Sequence, residues 1–348
     1  MKKTAWSVLR VLLVLACVWT AARAETVAAP QASAFDEAAL LAADTPPPLP
    51  PGFENEDEVK AALFSGKLHL LSPLMHIPVP DNVEEILDIE YGRVGDRPLK
   101  LDLYVPKDIE KPAPGLVFIH GGGWEGGSRK IYKYYTVRYA ARGYVAATVS
   151  YRLVGEATWP ACVQDAKCAV RWMRANAEKY PIDPERIAAI GGSAGGHLAM
   201  MLGYSAGVPE LEGDGGHEGY SSAVQAVVNF YGPTDLTVER PERDHPLVLG
   251  LFGGKRYDEI PDQYALASPM YHLDTSDPPT LTFHGTIDDL VPIYQADTLA
   301  EKLKELGIPS EYRRIEGYPH GMDMAREVNL HCQWWMNRFL EKHLRGTD

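Results

Sequence analysis

The sequence predicts an α/β fold, with a mostly parallel central sheet and helices on both of its faces. From Ile86 onward, short apolar segments alternate with segments of helical period. Alternation at this spacing is typical of parallel strands joined by right-handed helical crossovers. In addition, several polar residues suited to catalysis directly follow predicted strands. In α/β folds ligands bind at that edge of the sheet.

We expect an antiparallel hairpin, made by strands near 86–91 and 99–105, ahead of the alternating part. The alternating part is predicted, in chain order, as strand 115–119, helix 130–142, strand 145–149, helix 160–178, strand 187–190, helix 194–203, strands 224–231 and 280–284, helix 293–306, strand 311–315 and helix 325–343. Residues 235–264 exceed what the sheet requires, and proline and glycine break them into loops. This stretch is predicted to be a small lid insertion.

Residues 191–195 read Gly-Gly-Ser-Ala-Gly and stand between a predicted strand and a predicted helix. Gly-x-Ser-x-Gly in this context indicates a nucleophile elbow, a tight turn that lifts the serine hydroxyl above the sheet. Glycines on both sides let the strand and the helix approach closely. Ser193 is therefore the candidate nucleophile, although the motif is weak unless other segments fit the same chemistry.

One such segment follows strand 115–119 and reads His-Gly-Gly-Gly-Trp, residues 120–124. Acyl transfer passes through an oxyanion that needs fixed N–H donors, and a glycine run can turn its N–H groups toward the substrate. We assign the oxyanion hole to Gly122 and Gly123 together with Ala194 of the elbow, and the sequence leaves open which loop glycine donates. Phosphate-loop motifs do not fit this segment.

The acid and the base are expected on the loops after the last two strands. Asp288 follows strand 280–284, and we assign Asp289 to capping the next helix. His320 lies between turn-forming residues after strand 311–315. The chain order serine, aspartate, histidine is the order this architecture requires, so Ser193, Asp288 and His320 are the predicted catalytic set.

These segments together resemble the α/β-hydrolase superfamily. More narrowly, over residues 84 to 344, the chain is similar to secreted bacterial esterases of the hormone-sensitive-lipase-like and the feruloyl and acetylxylan esterase families. A strict hormone-sensitive lipase elbow has aspartate where this chain has Gly192, which favours the feruloyl and acetylxylan relatives. The resemblance implies a serine carboxylesterase acting on short-chain acyl, acetyl or feruloyl esters of plant polysaccharide.

Other functions compatible with these residues are a serine peptidase of the prolyl-oligopeptidase type, a formamidase-like amidase and a non-catalytic binding module.

The substrate pocket is expected to include Trp124 and Tyr231, with core packing an equal alternative for Trp124. No cofactor is expected, and no metal, because the chain has no metal-ligand spacing. The expected partner is a small-molecule or polysaccharide ester, and the oligomeric state is left open.

The N-terminal region predicts export. Residues 1–24 combine basic residues, a short apolar run and an Ala-x-Ala site, as in a cleavable signal peptide, and the run is too short to span a membrane. We expect a secreted or periplasmic protein, with lipid anchoring at Cys17 as a minor alternative. Residues 25–83 are proline-rich, and we interpret them as a solvated tether or a segment folding over the active-site mouth. Residues 84–348 form the catalytic domain.

The net charge bears on possible partners, and the cysteine positions bear on disulfide formation. The net charge is −13 and becomes −17 once the signal peptide and its four basic residues are removed. A surface this acidic disfavours binding to nucleic acid or anionic lipid. Cys162 and Cys168 lie six residues apart on one predicted helix, beyond the reach of a disulfide, so at least one thiol of the mature chain should be free.

Overall fold

The computed structural model describes residues 37–71, 77–239 and 241–346. The chain divides into two units, residues 1–42 and 43–348. The described part of the first unit is the short helix α1, Glu37–Ala42. The predicted signal peptide and Cys17 lie outside the described residues.

One eight-stranded sheet organises the second unit. Its strands are β1 (Val83–Val94), β2 (Arg97–Pro106), β3 (Ala113–Ile119), β4 (Val145–Val149), β5 (Ile182–Gly192), β6 (Ala226–Phe230), β7 (Thr280–Gly285) and β8 (Ser310–Ile315). Their order in space is β1-β2-β4-β3-β5-β6-β7-β8. β1 and β2 form the predicted hairpin, β2 runs antiparallel to β4, and all the other neighbours are parallel. The predicted α/β class is confirmed.

The helices of the second unit connect these strands. They are α2 (Glu56–Phe64), α3 (Lys133–Ala141), α4 (Ala161–Ala175), α5 (Ala194–Tyr204), α6 (Pro209–Glu212), α7 (Pro246–Leu251), α8 (Pro261–Leu266), α9 (Tyr294–Glu305) and α10 (Arg326–Leu340). Every helix predicted for the alternating part is present. The one predicted at 130–142 begins with a 3-10 turn, Arg129–Tyr132, and the last continues into a π turn, Glu341–Arg345.

The strands at the centre of the sheet are buried on both faces. In β3, Val117 and Ile119 belong to a core cluster that includes residues of α4 and α5, whereas Leu116 and Phe118 belong to a second cluster with α3 and α10. Successive strand side chains point to opposite faces, so these two clusters are the two layers of core that the helices cover. This arrangement explains why the central strands read as continuous apolar runs.

Residues 43–71 are not a solvated tether. The Phe53 N–H donates to the Gly317 carbonyl at 3.0 Å, and the Phe53 ring packs edge-on against Tyr318, with 5.6 Å between ring centroids. The Leu71 N–H donates to the Met324 carbonyl at 2.7 Å. This segment therefore contacts the loop that follows β8 on both sides of His320, at Gly317 and at Met324, and so supports that loop.

The described cysteines form no disulfide. Cys162, Cys168 and Cys332 are all free and buried, which confirms that at least one thiol is unpaired. Burial raises the pKa of Cys162 to about 12, so this thiol stays protonated at neutral pH. None of the described helices is long and apolar enough to cross a membrane.

Candidate active site

The turn between β5 and α5 has the geometry expected of a nucleophile elbow. Ser193 has φ 58° and ψ −125°, a backbone conformation that non-glycine residues rarely adopt. A Cβ at Gly191 would lie 2.2 Å from the Gly195 carbonyl oxygen, and one at Gly195 would lie 2.0 Å from the carbonyl oxygen of Ile119. Both positions therefore require glycine, and the absence of side chains allows strand and helix to meet behind the serine.

The structure brings the three predicted catalytic side chains together. The Ser193 Oγ lies 2.9 Å from His320 Nε2, and His320 Nδ1 lies 2.7 Å from Asp288 Oδ2. An ionised carboxylate can only accept, so the Nδ1–H donates to Asp288 and Nε2 is left to accept the serine proton. One continuous chain of hydrogen bonds thus joins residues that lie up to 127 positions apart in sequence.

Asp288 is held as a carboxylate by its surroundings. Its Oδ1 accepts from the N–H groups of Leu290 at 2.9 Å and Val291 at 2.8 Å, and its Oδ2 also lies 3.2 Å from His284 Nε2. Burial opposes ionisation, but His320 and His284 outweigh it through charge and hydrogen bonding, and the pKa of Asp288 falls well below its usual range. The carboxylate is therefore ionised throughout the neutral range.

Asp288, and not Asp289, hydrogen-bonds to the backbone of the turn before α9. The two N–H groups that it accepts belong to the turn leading into α9. Asp289 is exposed, and the residue that caps α9, Ile293, receives no side-chain hydrogen bond. The prediction that Asp289 caps this helix is wrong, because the carboxylate at 288 reaches the turn with one oxygen and the imidazole with the other.

The glycine loop after β3 adopts backbone conformations that suit glycine. Gly122 has φ 115° and Gly123 has φ 62°. A Cβ at Gly122 would lie 2.5 Å from the Gly126 carbonyl oxygen, so that glycine permits the loop to fold back on itself. His120 braces the base of the loop, because its ring stacks on Tyr151 with 4.5 Å between ring centroids.

A cavity of about 50 Å³ adjoins the serine. Gly123, Trp124, Ser193 and Ala194 are among the residues that line it. Ala194 is the first residue of α5, so its N–H has no acceptor within its own helix. Gly122 is not among the lining residues, and so the cavity favours Gly123 over Gly122 as the loop donor.

Trp124 combines the two roles that the sequence left open. It lines the cavity, yet it is buried and meets the His197 ring edge-on, with 5.2 Å between the ring centroids. Its φ of 58° places the indole ring at the end of the glycine loop. The ring is therefore a wall of the cavity that is itself fixed by core packing.

The stretch 235–264 contributes the opposite side of the cavity. It contains α7, α8 and a short 3-10 turn between them. Its Arg243, Leu247 and Val248 line the cavity together with the residues beside Ser193. A Cβ on Gly123 would lie only 2.7 Å from the Leu247 side chain. This stretch therefore packs directly against the glycine loop.

Tyr231 is not among the residues that line this cavity, and its role in binding substrate stays a prediction. Its ring packs edge-on against the His320 imidazole, with 4.7 Å between ring centroids, and its hydroxyl donates to the carboxylate of Asp323. The Tyr135 hydroxyl donates to the same carboxylate at 2.8 Å. The ring is turned toward the histidine because this buried carboxylate, three residues after His320, holds its hydroxyl.

Asp323 was missed by sequence analysis. Its carboxylate is buried, and burial raises its pKa while the two tyrosine hydroxyls act in the opposite direction. Tyr135 and Tyr231 lie 188 and 92 positions away, so no local pattern could have indicated the contact. In the described part of the chain, no group of three or more His, Cys, Asp or Glu side chains could hold a metal ion.

Comparisons with known proteins find esterases among the relatives of this chain. Residues 101–303 match the BD-FAE family model. Esterase LipC of Mycobacterium tuberculosis is 35% identical over 237 residues, which are 66% of this chain and 59% of LipC. Esterase LipQ of the same organism is 32% identical over 78% of this chain and 65% of its own length. The chain thus spans about three fifths of the curated relatives that it matches.

Solved structures with the same fold include esterases. The thermophilic esterase Est2 of Thermogutta terrifontis has a TM-score of 0.64 and 31% identity, covering 75% of this chain and 92% of Est2. Est2 has also been solved with propionate and with butyrate bound. A truncated carbohydrate esterase from gut microbiota has a TM-score of 0.65 and 27% identity, covering 76% of this chain and 99% of that one.

The fold and these likenesses define the class of the protein as an α/β-hydrolase whose relatives include esterases. The family model covers more than half of the chain. The chain belongs to the BD-FAE family.

Proposed function

We propose that this protein is a serine carboxylesterase that hydrolyses esters of short acyl groups, with acetyl or feruloyl groups of plant polysaccharide as the natural substrates. The observation that carries the proposal is the chain of hydrogen bonds from Ser193 through His320 to Asp288, at 2.9 and 2.7 Å. This order of a hydroxyl, an imidazole and a buried carboxylate is what acyl transfer to serine requires.

The reaction takes place in two halves. His320 Nε2 accepts the hydroxyl proton as Ser193 Oγ attacks the ester carbonyl, and Asp288 stabilises the imidazolium that forms. The N–H groups of Gly123 and Ala194 bind the oxyanion, with Gly122 as the further predicted donor. The alcohol leaves with the proton from His320. Water then attacks the acyl-enzyme in the same way and releases the acid.

The size of the cavity supports a short acyl group and favours acetyl over the larger feruloyl group. At about 50 Å³ it is far smaller than the several hundred Å³ that a drug-sized ligand fills. Est2 binds propionate and butyrate, which are also short acids. A polysaccharide substrate is supported by the likeness to the gut carbohydrate esterase and by the predicted signal peptide, which implies that the enzyme acts outside the cytoplasm.

A panel of esters tests this proposal. The enzyme is given 4-nitrophenyl acetate, butyrate and octanoate, methyl ferulate and acetylated xylan, and kcat/KM is measured for each. We expect acetate and butyrate to be preferred to octanoate and acetylated xylan to be deacetylated. Preference for octanoate would contradict the short acyl group, and a Ser193→Ala variant that retains more than a few per cent of the rate would contradict the nucleophile.

A further inference from the structure

Arg243 is a cationic side chain in the wall of the cavity that also contains Ser193. Its guanidinium carbon lies 4.6 Å from the centroid of the Tyr257 ring, and its Nη1 lies 3.5 Å from the carbonyl oxygen of Thr237. Its Nε is buried and has no hydrogen-bond partner among the described residues. A buried donor without a partner is costly, so the contacts that hold this guanidinium leave part of its bonding capacity unused.

Arg129 and Arg152, two other partly buried arginines of the protein, are paired with carboxylates. Arg129 lies 2.8 Å from Asp102, and Arg152 lies 2.7 Å from Asp165. Arg243 has no such ion pair with any residue that the structure describes. Asp244, which follows it in the chain, pairs with Arg256 at 3.0 Å instead. Among the described side chains, Arg243 is therefore a cation without a carboxylate partner in the wall of the cavity that contains Ser193.

One carboxylate does line the same cavity, namely Asp235. Its Oδ1 accepts from the N–H of Thr237 at 2.8 Å and from the Thr237 hydroxyl at 2.7 Å. It forms no ion pair with Arg243 within 4.0 Å. Asp235 therefore stabilises its own turn, and the guanidinium fork stays available for a ligand.

We infer that Arg243 binds a carboxylate carried by the ester substrate, so that the enzyme selects esters with an acidic group a few atoms from the scissile bond. The inference deepens the proposed function and rests on it. A guanidinium fork matches a carboxylate in geometry, and an ion pair in a partly closed cavity is less screened than one on the surface. The small volume of the cavity keeps Arg243 and Ser193 within reach of one short substrate.

The acidic group can belong to the acyl part or to the alcohol part of the ester, and two pairs of isosteric substrates distinguish them. The acyl pair is monoethyl succinate and ethyl succinamate. The alcohol pair is O-acetylglycolate and O-acetylglycolamide. Within each pair the substrates differ by a carboxylate in place of an amide, and the released acid or alcohol is quantified by chromatography.

We expect the full-length enzyme to prefer the charged member of one pair, and Arg243→Gln to lower the charged-to-neutral ratio of kcat/KM for that pair at least about 10-fold. Arg243→Lys should retain part of the preference. Arg93→Gln is the matched control, since it removes an equal charge from the exposed β1–β2 hairpin, where Arg93 pairs with Glu90. This control should leave the ratio unchanged.

The inference is overturned if neither charged substrate is preferred, or if Arg243→Gln leaves the ratio unchanged. Failure of the proposed function gives a different result, because the wild type would then hydrolyse neither member of either pair, or hydrolysis would persist in Ser193→Ala. If Arg243→Gln does not fold, the lysine variant still tests the inference, since a full loss of preference with the charge retained would contradict binding through the cation.

Discussion

The contact between Tyr231 and His320 can be tested with two tyrosine variants, Tyr231→Phe and Tyr135→Phe. Each variant removes one of the two hydroxyl donors to the buried Asp323 carboxylate. Of the two rings, that of Tyr231 packs on the His320 imidazole, 4.7 Å away. The pair therefore separates loss of a buried hydrogen bond from loss of support for the imidazole.

The magnitudes follow from these contacts. Leaving a buried acceptor without one of its donors costs about 1–3 kcal/mol, so both variants should lower the free energy of unfolding by about that amount. With an unfolding entropy of about 2.1 cal/mol/K per residue, the melting temperature of a chain of this size should fall by roughly 1–5 °C. We expect Tyr231→Phe to lower kcat about 10-fold with little change in KM, because the ring loses its anchor and the imidazole leaves its productive position more often.

The assays are thermal unfolding and steady-state hydrolysis of 4-nitrophenyl acetate at saturating and limiting concentrations. Tyr135→Phe should lose at least as much stability, because its hydroxyl also accepts from the Asn329 side-chain amide at 2.5 Å, but its kcat should stay close to wild type. If both variants lose activity equally, or if Tyr231→Phe is fully active, the positioning role of Tyr231 is refuted and the hydrogen bonds to Asp323 are structural only.

Two further predictions concern stability. Gly195→Ala should prevent folding to the native state, because its Cβ would lie 2.0 Å from the Ile119 carbonyl oxygen. Gly155→Ala is the control and should melt near wild type, since a Cβ there meets nothing within 4 Å. Soluble, native-like Gly195→Ala protein would contradict the close approach of strand and helix. In urea titrations the free energy of unfolding should decrease as the pH is lowered from about 6.5 to 4, since burial lowers the pKa of His120 and His197 to about 4. Across that range these rings are protonated in the unfolded chain and neutral in the folded one, so the unfolded chain binds more protons. By pH 4 each ring should have lowered the free energy of unfolding by about 3 kcal/mol. A flat profile would contradict their burial as neutral rings.

The sequence predicted the parts of the site that follow from chain connectivity. Ser193 directly follows the apolar, buried end of β5, and His320 lies on the loop after β8. In a parallel sheet all carboxyl ends of strands meet at one edge, so placing the strands also placed the candidate catalytic side chains. The geometry of the elbow followed in the same way from glycines at 191 and 195.

Features that depend on side chains far apart in sequence could not be predicted. Tyr231 was interpreted as a pocket residue because it ends a strand, but the buried carboxylate of Asp323 turns its ring toward the histidine. The assignment of Asp289 as a cap failed because Asp288 reaches both the imidazole and the turn. The packing of residues 43–71 was obscured by their composition, which is that of a proline-rich linker.

The most direct test of the account is to locate a covalent adduct. The enzyme is treated with a fluorophosphonate probe, and the modified residue is identified by peptide mass spectrometry in wild type, His320→Ala and Ser193→Ala. The account predicts one adduct on Ser193, formed much more slowly in His320→Ala and absent in Ser193→Ala. An adduct on another residue, or undiminished labelling of Ser193 without the imidazole, would contradict the hydrogen-bonded set on which the proposed function rests.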